Sequence, residues 1–271
     1  MGDHFDHQGH YTHGHGEATL ASHAARTAAN SAAYLLPHLQ PGMRLLDIGC
    51  GPGTITLDLA QVVAPGEVVG VDSAETALTA ARDEAARRGD TTTRFDLGDV
   101  ASLPFEEDSF DVVHAHQVLH HLADPVAALR EMRRVCRPGG WIAVRDADYS
   151  GMAWYPPTPG LEVWRRLFSE VQRAHGAEPD AARRHRRWAR EAGLAEPRIT
   201  TSTWTYADPE SCSWWADGQA TRYGAATFTD QAREIGASEE DLEAVVQGWR
   251  SWGADPDAWF VMVHGELLAQ G

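Results

Sequence analysis

Between residues 44 and 146, short apolar runs alternate with stretches whose apolar residues recur every three or four positions. The runs Arg44–Ile48, Val68–Asp72, Thr93–Leu97, Asp111–Ala115 and Trp141–Asp146 read as strands. The stretches Thr54–Val63, Ala74–Arg88 and Pro125–Cys136 read as helices. Strand and helix alternating at this spacing make βαβ units, and so a parallel sheet covered by helices on both faces. Upstream, the Ala-rich pattern from Ala18 to Leu39 reads as a helix that Pro41-Gly42 stops. The first sixteen residues carry Gly and His without periodicity and read as an arm that stays loose until ligand orders it.

After Asp148 the rhythm breaks. Pro156, Pro157 and Pro159 mark an irregular crossing, followed by helical patterns over Leu161–His175 and Ala181–Ala192. Arg198–Tyr206 alternates like a strand, Asp208–Gly253 is mostly helical in pattern, and Ala258–Leu268 reads as a closing strand. The expected class is α/β, a Rossmann-like body with helical cap insertions at about 149–195 and 208–255. An N-terminal arm and lid helix would occupy residues 1–40, and the main domain residues 41–271.

Composition narrows the function. With 271 residues and 43% hydrophobic content, the chain is long enough for one large domain or a domain with a cap. No apolar run approaches the roughly 18 residues of a membrane span, and the polar start MGDHFDHQGHYTHGHGE does not read as a signal peptide. A cytoplasmic protein without a membrane partner is expected. Cys50, Cys136 and Cys212 lie far apart, which argues against a disulfide framework or zinc site. A formal net charge of −16 argues against a nucleic-acid partner. All 23 basic side chains are Arg, and RRHRRWAR at Arg183–Arg190 is a local exception to the acidic balance.

The strongest chemical signal is LLDIGCGPG, Leu45 to Gly53, an apolar strand running into Gly49-Cys50-Gly51-Pro52-Gly53 before a helix near Thr54. Glycines let the backbone turn sharply and let a ligand approach it, and the crevice beyond such a strand is where α/β sheets bind ligands. A dinucleotide would call for GxGxxG with its pyrophosphate at the helix start. Here the spacing is GxGxG, and Asp47 stands just before the loop, where a carboxylate repels a pyrophosphate but suits a ligand carrying an ammonium group. Asp72 ends the strand EVVGVD about 20 residues on, where an acid takes both hydroxyls of a ribose. In LGDV, Asp99 offers an acceptor for an adenine amino group, and the following N–H, that of Val100, a donor for the ring.

These residues, with the stretch FDVVHAHQVLHHLADPVAALREMRRVCRPGGWIAV, resemble the class I S-adenosylmethionine-dependent methyltransferases, particularly their UbiE-like group. The resemblance runs from Leu45 to about Asp146. It implies a seven-stranded, mostly parallel sheet with one antiparallel strand, Arg198–Tyr206 and Ala258–Leu268 being its last two strands. It implies S-adenosylmethionine as cofactor and S-adenosylhomocysteine as product. Asp47, Gly49, Cys50 and Gly51 would hold the methionyl end, Asp72 the ribose with Ser73 beside it, and Asp99 and Val100 the adenine. His116 would approach the methionyl group, and Arg26, from the helix before the first strand, would meet its carboxylate.

Other residues bear on the acceptor. His116, nearest the expected methyl group, is the candidate general base. His114 and His120-His121 read as packed or hydrogen-bonded. Six of the fourteen histidines fall by His23, where Tyr11 and His15 are candidates for closing over the acceptor; metal binding by this tract is the weaker reading, and no metal is expected. Tyr149, Trp154 and Tyr155 follow the fifth strand as candidate acceptor contacts and suggest an apolar or aromatic molecule. RRHRRWAR reads either as a solvated helix face or as a rim that recruits an anion. The expected reaction is methyl transfer to O, N or C of a small molecule, a secondary metabolite or quinone-like compound. A peptide acceptor and a non-methylating binder of the same cofactor are the alternatives, and a monomer or homodimer is expected.

Overall fold

The computed structural model of the chain describes residues 26–271. Seven strands form one sheet: β1 Leu45–Ile48, β2 Val68–Asp72, β3 Arg94–Leu97, β4 Phe110–His116, β5 Cys136–Tyr155, β6 Ala195–Tyr206 and β7 Trp259–Gln270. Their order is β3-β2-β1-β4-β5-β7-β6, with β1 to β5 paired in parallel and β7 antiparallel to both of its neighbours. This is the expected Rossmann-like α/β sheet. All four residues of β1 are buried, as a central strand covered on both faces requires.

Nine α-helices accompany the strands among the described residues: α1 Ala28–Ser31, α2 Thr54–Val63, α3 Glu75–Arg88, α4 Pro125–Val135, α5 Pro159–Ala174, α6 His185–Glu191, α7 Pro209–Gly224, α8 Ala226–Glu234 and α9 Glu239–Gly253. Their ends follow local chemistry. Asp124 caps α4 by accepting from the Ala127 N–H, with Pro125 in the first turn, and a Ser238–Asp241 capping box opens α9.

The sheet has two covered faces. Leu46, Ile48, Val113, Ile142 and Val144 pack toward Leu129 and Met132 of α4 and Trp188 of α6. Leu45, Val112, Ala143 and Leu268 pack toward Ala28 and Leu35 near α1 and Ile55 and Leu59 of α2. A further core lies away from these layers: Trp164 and Phe168 of α5, Trp215 and Tyr223 of α7, Phe228 of α8 and Trp249 and Trp252 of α9 close on Phe260 of β7.

Three expectations change. The fifth strand runs to Tyr155 instead of ending at Asp146, because β7 supplies partners as far as Trp259; a register shift between Asp148 and Ala153 bulges the strand where the sequence pattern loses its period. Tyr149, Trp154 and Tyr155 therefore lie within β5. The helix expected over Ala18–Leu39 is, in its described part, a single α turn, Ala28–Ser31, capped by Thr27, then a short 3-10 turn, Leu36–His38, where Pro37 lacks an N–H. Finally, Ala181–Arg184 and α6 cover the sheet and do not join the helical cap, because His185 and Trp188 bury against it.

Candidate active site

At the carboxyl end of β1 the chain turns through Gly49, whose φ is +65°; a Cβ there would stand 2.4 Å from Val118 Cγ2. Val118 lies two residues beyond β4, so the glycine turn abuts the first residues after the neighbouring strand. This is the switch point of the sheet, since the chain leaves β1 toward β2 on one side and returns to β4 on the other. The Gly51 N–H donates to Asp72 Oδ2 at 3.0 Å and the Ala74 N–H to Asp72 Oδ1 at 3.0 Å, fixing a half-exposed carboxylate at the end of β2. Ser73 is exposed beside it. Leu97, register partner of Asp72, is 59% exposed, an apolar surface next to a carboxylate. Asp99 is exposed and uses one oxygen to accept from the Ala101 N–H at 2.9 Å, while the Val100 side chain is buried in the core.

Two residues of the motif face inward. Asp47 is buried; Thr56 Oγ1 donates to one of its oxygens at 2.5 Å and His114 Nδ1 lies 2.7 Å from the other. The expectation that this carboxylate meets a ligand directly is therefore revised: it sits beneath the turn and braces it. The Cys50 side chain packs with Leu57, Leu78 and Phe95, and burial pushes its thiol well above the usual range.

Beyond β4 the backbone is held in an uncommon shape. Gln117 has φ +56°, donates its N–H to the Arg145 carbonyl at 2.6 Å and places its side-chain Nε2 3.0 Å from His264 Nε2. Arg26 Nη2 approaches Gln117 Oε1 at 3.5 Å and its guanidinium lies 5.5 Å from the Trp204 ring centre. His116 is buried, with neither ring nitrogen partnered among the described residues, its ring 5.8 Å from that of Trp204 and 6.4 Å from that of His264. Burial, reinforced by Arg145, pulls His116 and His264 well below the ordinary histidine range, so both rings are neutral at neutral pH. Arg145, fully buried, lies 5.0 Å from the Trp204 ring centre and 3.7 Å from Glu266; burial lowers its pKa to about 10.

Gln117 opens onto a narrow cleft. Tyr149, Trp164, Trp204, Trp215 and Tyr223 give it an aromatic lining; Arg26, Gln117, Gln219 and Arg222 are its polar members. Of the acceptor candidates, Tyr149 lines this cleft. Trp154 does not: it stacks on Phe260 at 6.1 Å, under Arg165, because its position on β5 turns it into the helical core. Tyr155 is 55% exposed at the far end of β5, its carbonyl accepting from Trp252 Nε1, outside the cleft. Tyr11 and His15 lie outside the described residues. His116 stands one residue behind Gln117 and is not part of the cleft lining. The basic stretch is turned to solvent and to acids: Arg183 chelates Asp148, Arg184 meets Glu178 and Arg187 meets Glu191. His120 and His185 both bond to the buried Asp146.

Sequence reading missed Gln117, Leu97, Trp204 and the α7 face. The last had a signal: Trp215, Gln219, Arg222 and Tyr223 recur at helical spacing, an aromatic stripe interrupted by two long polar side chains.

Comparison with known proteins fits this geometry. Residues 39–192 match the family described as a methyltransferase domain. An uncharacterized methyltransferase of Schizosaccharomyces pombe is 33% identical over 268 residues, 95% of each chain. The 27-O-demethylrifamycin SV methyltransferase of Amycolatopsis mediterranei is 32% identical over 251 residues, 91% of this chain and 85% of its own. In fold, the crystal structure of the YcgJ protein of Bacillus subtilis superposes with a TM-score of 0.58 at 22% identity, covering 88% of this chain and 97% of that one.

Proposed function

The chain belongs to the methyltransferase-domain family and is an S-adenosylmethionine-dependent methyltransferase, and from that premise we propose that it methylates an oxygen, nitrogen or carbon of a small molecule held in the aromatic cleft. The observation that carries this reading is the adjacency of the cleft to the glycine turn: Gln117 lines the one, and Val118, the next residue, abuts Gly49 of the other. A concave site walled by aromatic rings with a few polar side chains suits a compact molecule better than a folded protein surface. A relative of nearly the same length is named for 27-O-demethylrifamycin SV, which supports the same class.

The cofactor site is read residue by residue. Asp72, already oriented by two backbone N–H groups, accepts from the ribose hydroxyls, with Ser73 at its side. Leu97 covers one face of the adenine, and Asp99 and the Val100 N–H meet its edge. The backbone of Gly49, Cys50 and Gly51 and that past His116 border the methionyl end, and Arg26 takes its carboxylate. Asp47 holds the turn through Thr56 and His114. Bound S-adenosylmethionine supplies an electrophilic methyl group on its sulfonium and leaves as S-adenosylhomocysteine. Gln117 and the aromatic rings orient the acceptor, and orientation alone is worth roughly 7–11 kcal/mol of a barrier. His116, buried behind Gln117 and held neutral, shapes this wall; the base role weighed for it passes to water for acceptors whose proton is acidic.

The test is a panel of aromatic small molecules and of peptides incubated with enzyme and cofactor bearing an isotopically labelled methyl. Label in small-molecule products, with stoichiometric S-adenosylhomocysteine, is the expected result. Label confined to peptides would replace this reading with a peptide acceptor.

A further inference from the structure

Among the described residues, the cleft carries a charge opposite in sign to that of the whole chain. The chain carries a formal net charge of −16, yet the cleft is lined by Arg26 and Arg222 and by no Asp or Glu among the described residues. The fully buried Arg145 stands just behind, over the same Trp204 ring, its charge paired with Glu266 at 3.7 Å. Such a lining focuses a positive potential into a low-dielectric pocket.

The hydrogen-bonding groups left over on the α7 side are donors. Arg222 Nε and Trp215 Nε1 are buried and have no acceptor among the described residues, and no carboxylate there pairs with Arg222. A half-buried guanidinium without a counter-charge is costly, and an incoming anion offsets that cost. The surroundings are flat: Tyr206 stacks on Trp215 with centroids 4.5 Å apart and planes 11° apart, and Trp164, Tyr149 and Tyr223 continue the aromatic surface. Arg26 lies beside Gln117 and over the Trp204 ring.

We propose, resting on the small-molecule reading above, that the acceptor is a planar aromatic molecule carrying a negative charge, a carboxylate or an ionised hydroxyl, and that Arg222 binds that charge with Trp215 as a second donor. Arg26, bonded to Gln117, is assigned to the methionyl end and Arg222, on α7, to the acceptor. Arg222 is thus a specificity-determining residue.

The test uses the full-length enzyme saturated with S-adenosylhomocysteine and two probes matched in shape, 1-hydroxy-2-naphthoate and 1-hydroxy-2-naphthamide, titrated by calorimetry. A hydrogen bond to a charged group predicts that the acid binds about ten- to a hundredfold more tightly than the amide. R222Q should abolish this preference, R222K should keep part of it, and both should retain S-adenosylhomocysteine affinity. Trp215→Phe, which keeps the ring and removes the donor, should weaken the acid more than the amide and serves if R222Q does not fold. Equal binding of acid and amide, binding of neither, or a preference that survives R222Q overturns the proposal. Because binding is scored without turnover, the two readings fail separately: transfer to neutral small molecules without acid preference sinks this one alone. Acid binding without transfer to any small molecule sinks only the function proposed above.

Discussion

On the β1–β3 side of the crevice, the groups that face outward are backbone amides, short carboxylates and one exposed leucine. On the far side they are aromatic rings carried by α5, α7 and the long strands β5 and β6, with Gln219 and Arg222 of α7. The first surface works through backbone geometry: Gly49 admits no Cβ, and Asp72 is oriented by the N–H groups of Gly51 and Ala74. The second works through side chains whose arrangement depends on a separate core around Trp164, Trp249 and Phe260. On the proposed reading, the cofactor is met by backbone geometry and the acceptor by side chains that rest on a core of their own.

If the two surfaces rest on separate cores, damage to one should spare the other. Trp249 is fully buried and contacts Trp164 at 4.8 Å, Phe260 at 5.5 Å and Trp252 at 5.8 Å, and does not line the cleft. Trp249→Ala should cost about 3–5 kcal/mol of stability through the cavity it leaves, seen as a large fall in melting temperature. At low temperature S-adenosylhomocysteine affinity should stay near the native value while aromatic probe binding is lost. Parallel loss of both would mean that the two surfaces are one cooperative unit.

The converse perturbation is smaller. Asp72→Ala removes the carboxylate proposed for the ribose, and a hydrogen bond to a charged group is worth about 1.5–3 kcal/mol. Calorimetry should therefore show a ten- to hundredfold weaker S-adenosylhomocysteine complex, with the melting temperature of the free protein little changed. Unaltered affinity would remove Asp72 from the site.

The same division explains what was readable beforehand. The glycine turn, Asp72 and Asp99 are written as local motifs, because turns and strand ends depend on nearby residues; the Gly51 N–H bonds to Asp72, and Asp99 follows the end of the neighbouring strand β3. Gln117 carried no such mark: its positive φ and its neighbours His264 and Arg26 come from sequence distances of 147 and 91 residues. Trp154 and Tyr155 were misplaced for a related reason. Their strand continues only because β7, about a hundred residues later, supplies partners, and the bulge after Asp148 resets which face each side chain takes. The roles of the arginines in RRHRRWAR were undecidable from composition, since charge alone does not say whether Asp148 or a ligand is the partner.

Along the seam between the two surfaces, His116 and His264 offer a pH test. Both are held well below the ordinary histidine value of 6.5, first by burial and then by Arg145. As pH falls through 6.5 the unfolded chain takes up protons that the folded chain refuses, so stability is full above that value and is lost below it. The slope is at most about 1.4 kcal/mol per pH unit for each ring. Melting temperature should fall between about pH 7 and about pH 5, and a His116→Gln, His264→Gln double variant should flatten that dependence. A level profile in the native protein would show that the seam takes up protons without cost.

The smallest expected effect separates the place of a cation from its presence. Arg184 sits on the far face, 3.2 Å from Glu178, with its side chain 46% exposed. It is followed by His185, which is buried against Asp146, so the helix is anchored with its arginines turned outward. Exposed pairs of this kind contribute about 0–1 kcal/mol, because water screens the attraction and both side chains lose freedom when they pair. Arg184→Gln should therefore shift melting temperature only slightly. It should also leave the acid-over-amide preference of the cleft intact at low salt, where any long-range steering by the basic stretch would be most visible. R222Q removes the same formal charge from a residue that lines the cleft and should abolish that preference. If Arg184→Gln weakens the naphthoate as much as R222Q does, the cleft responds to the overall field of the protein, and the distinction between a built anion site and a charged surface disappears.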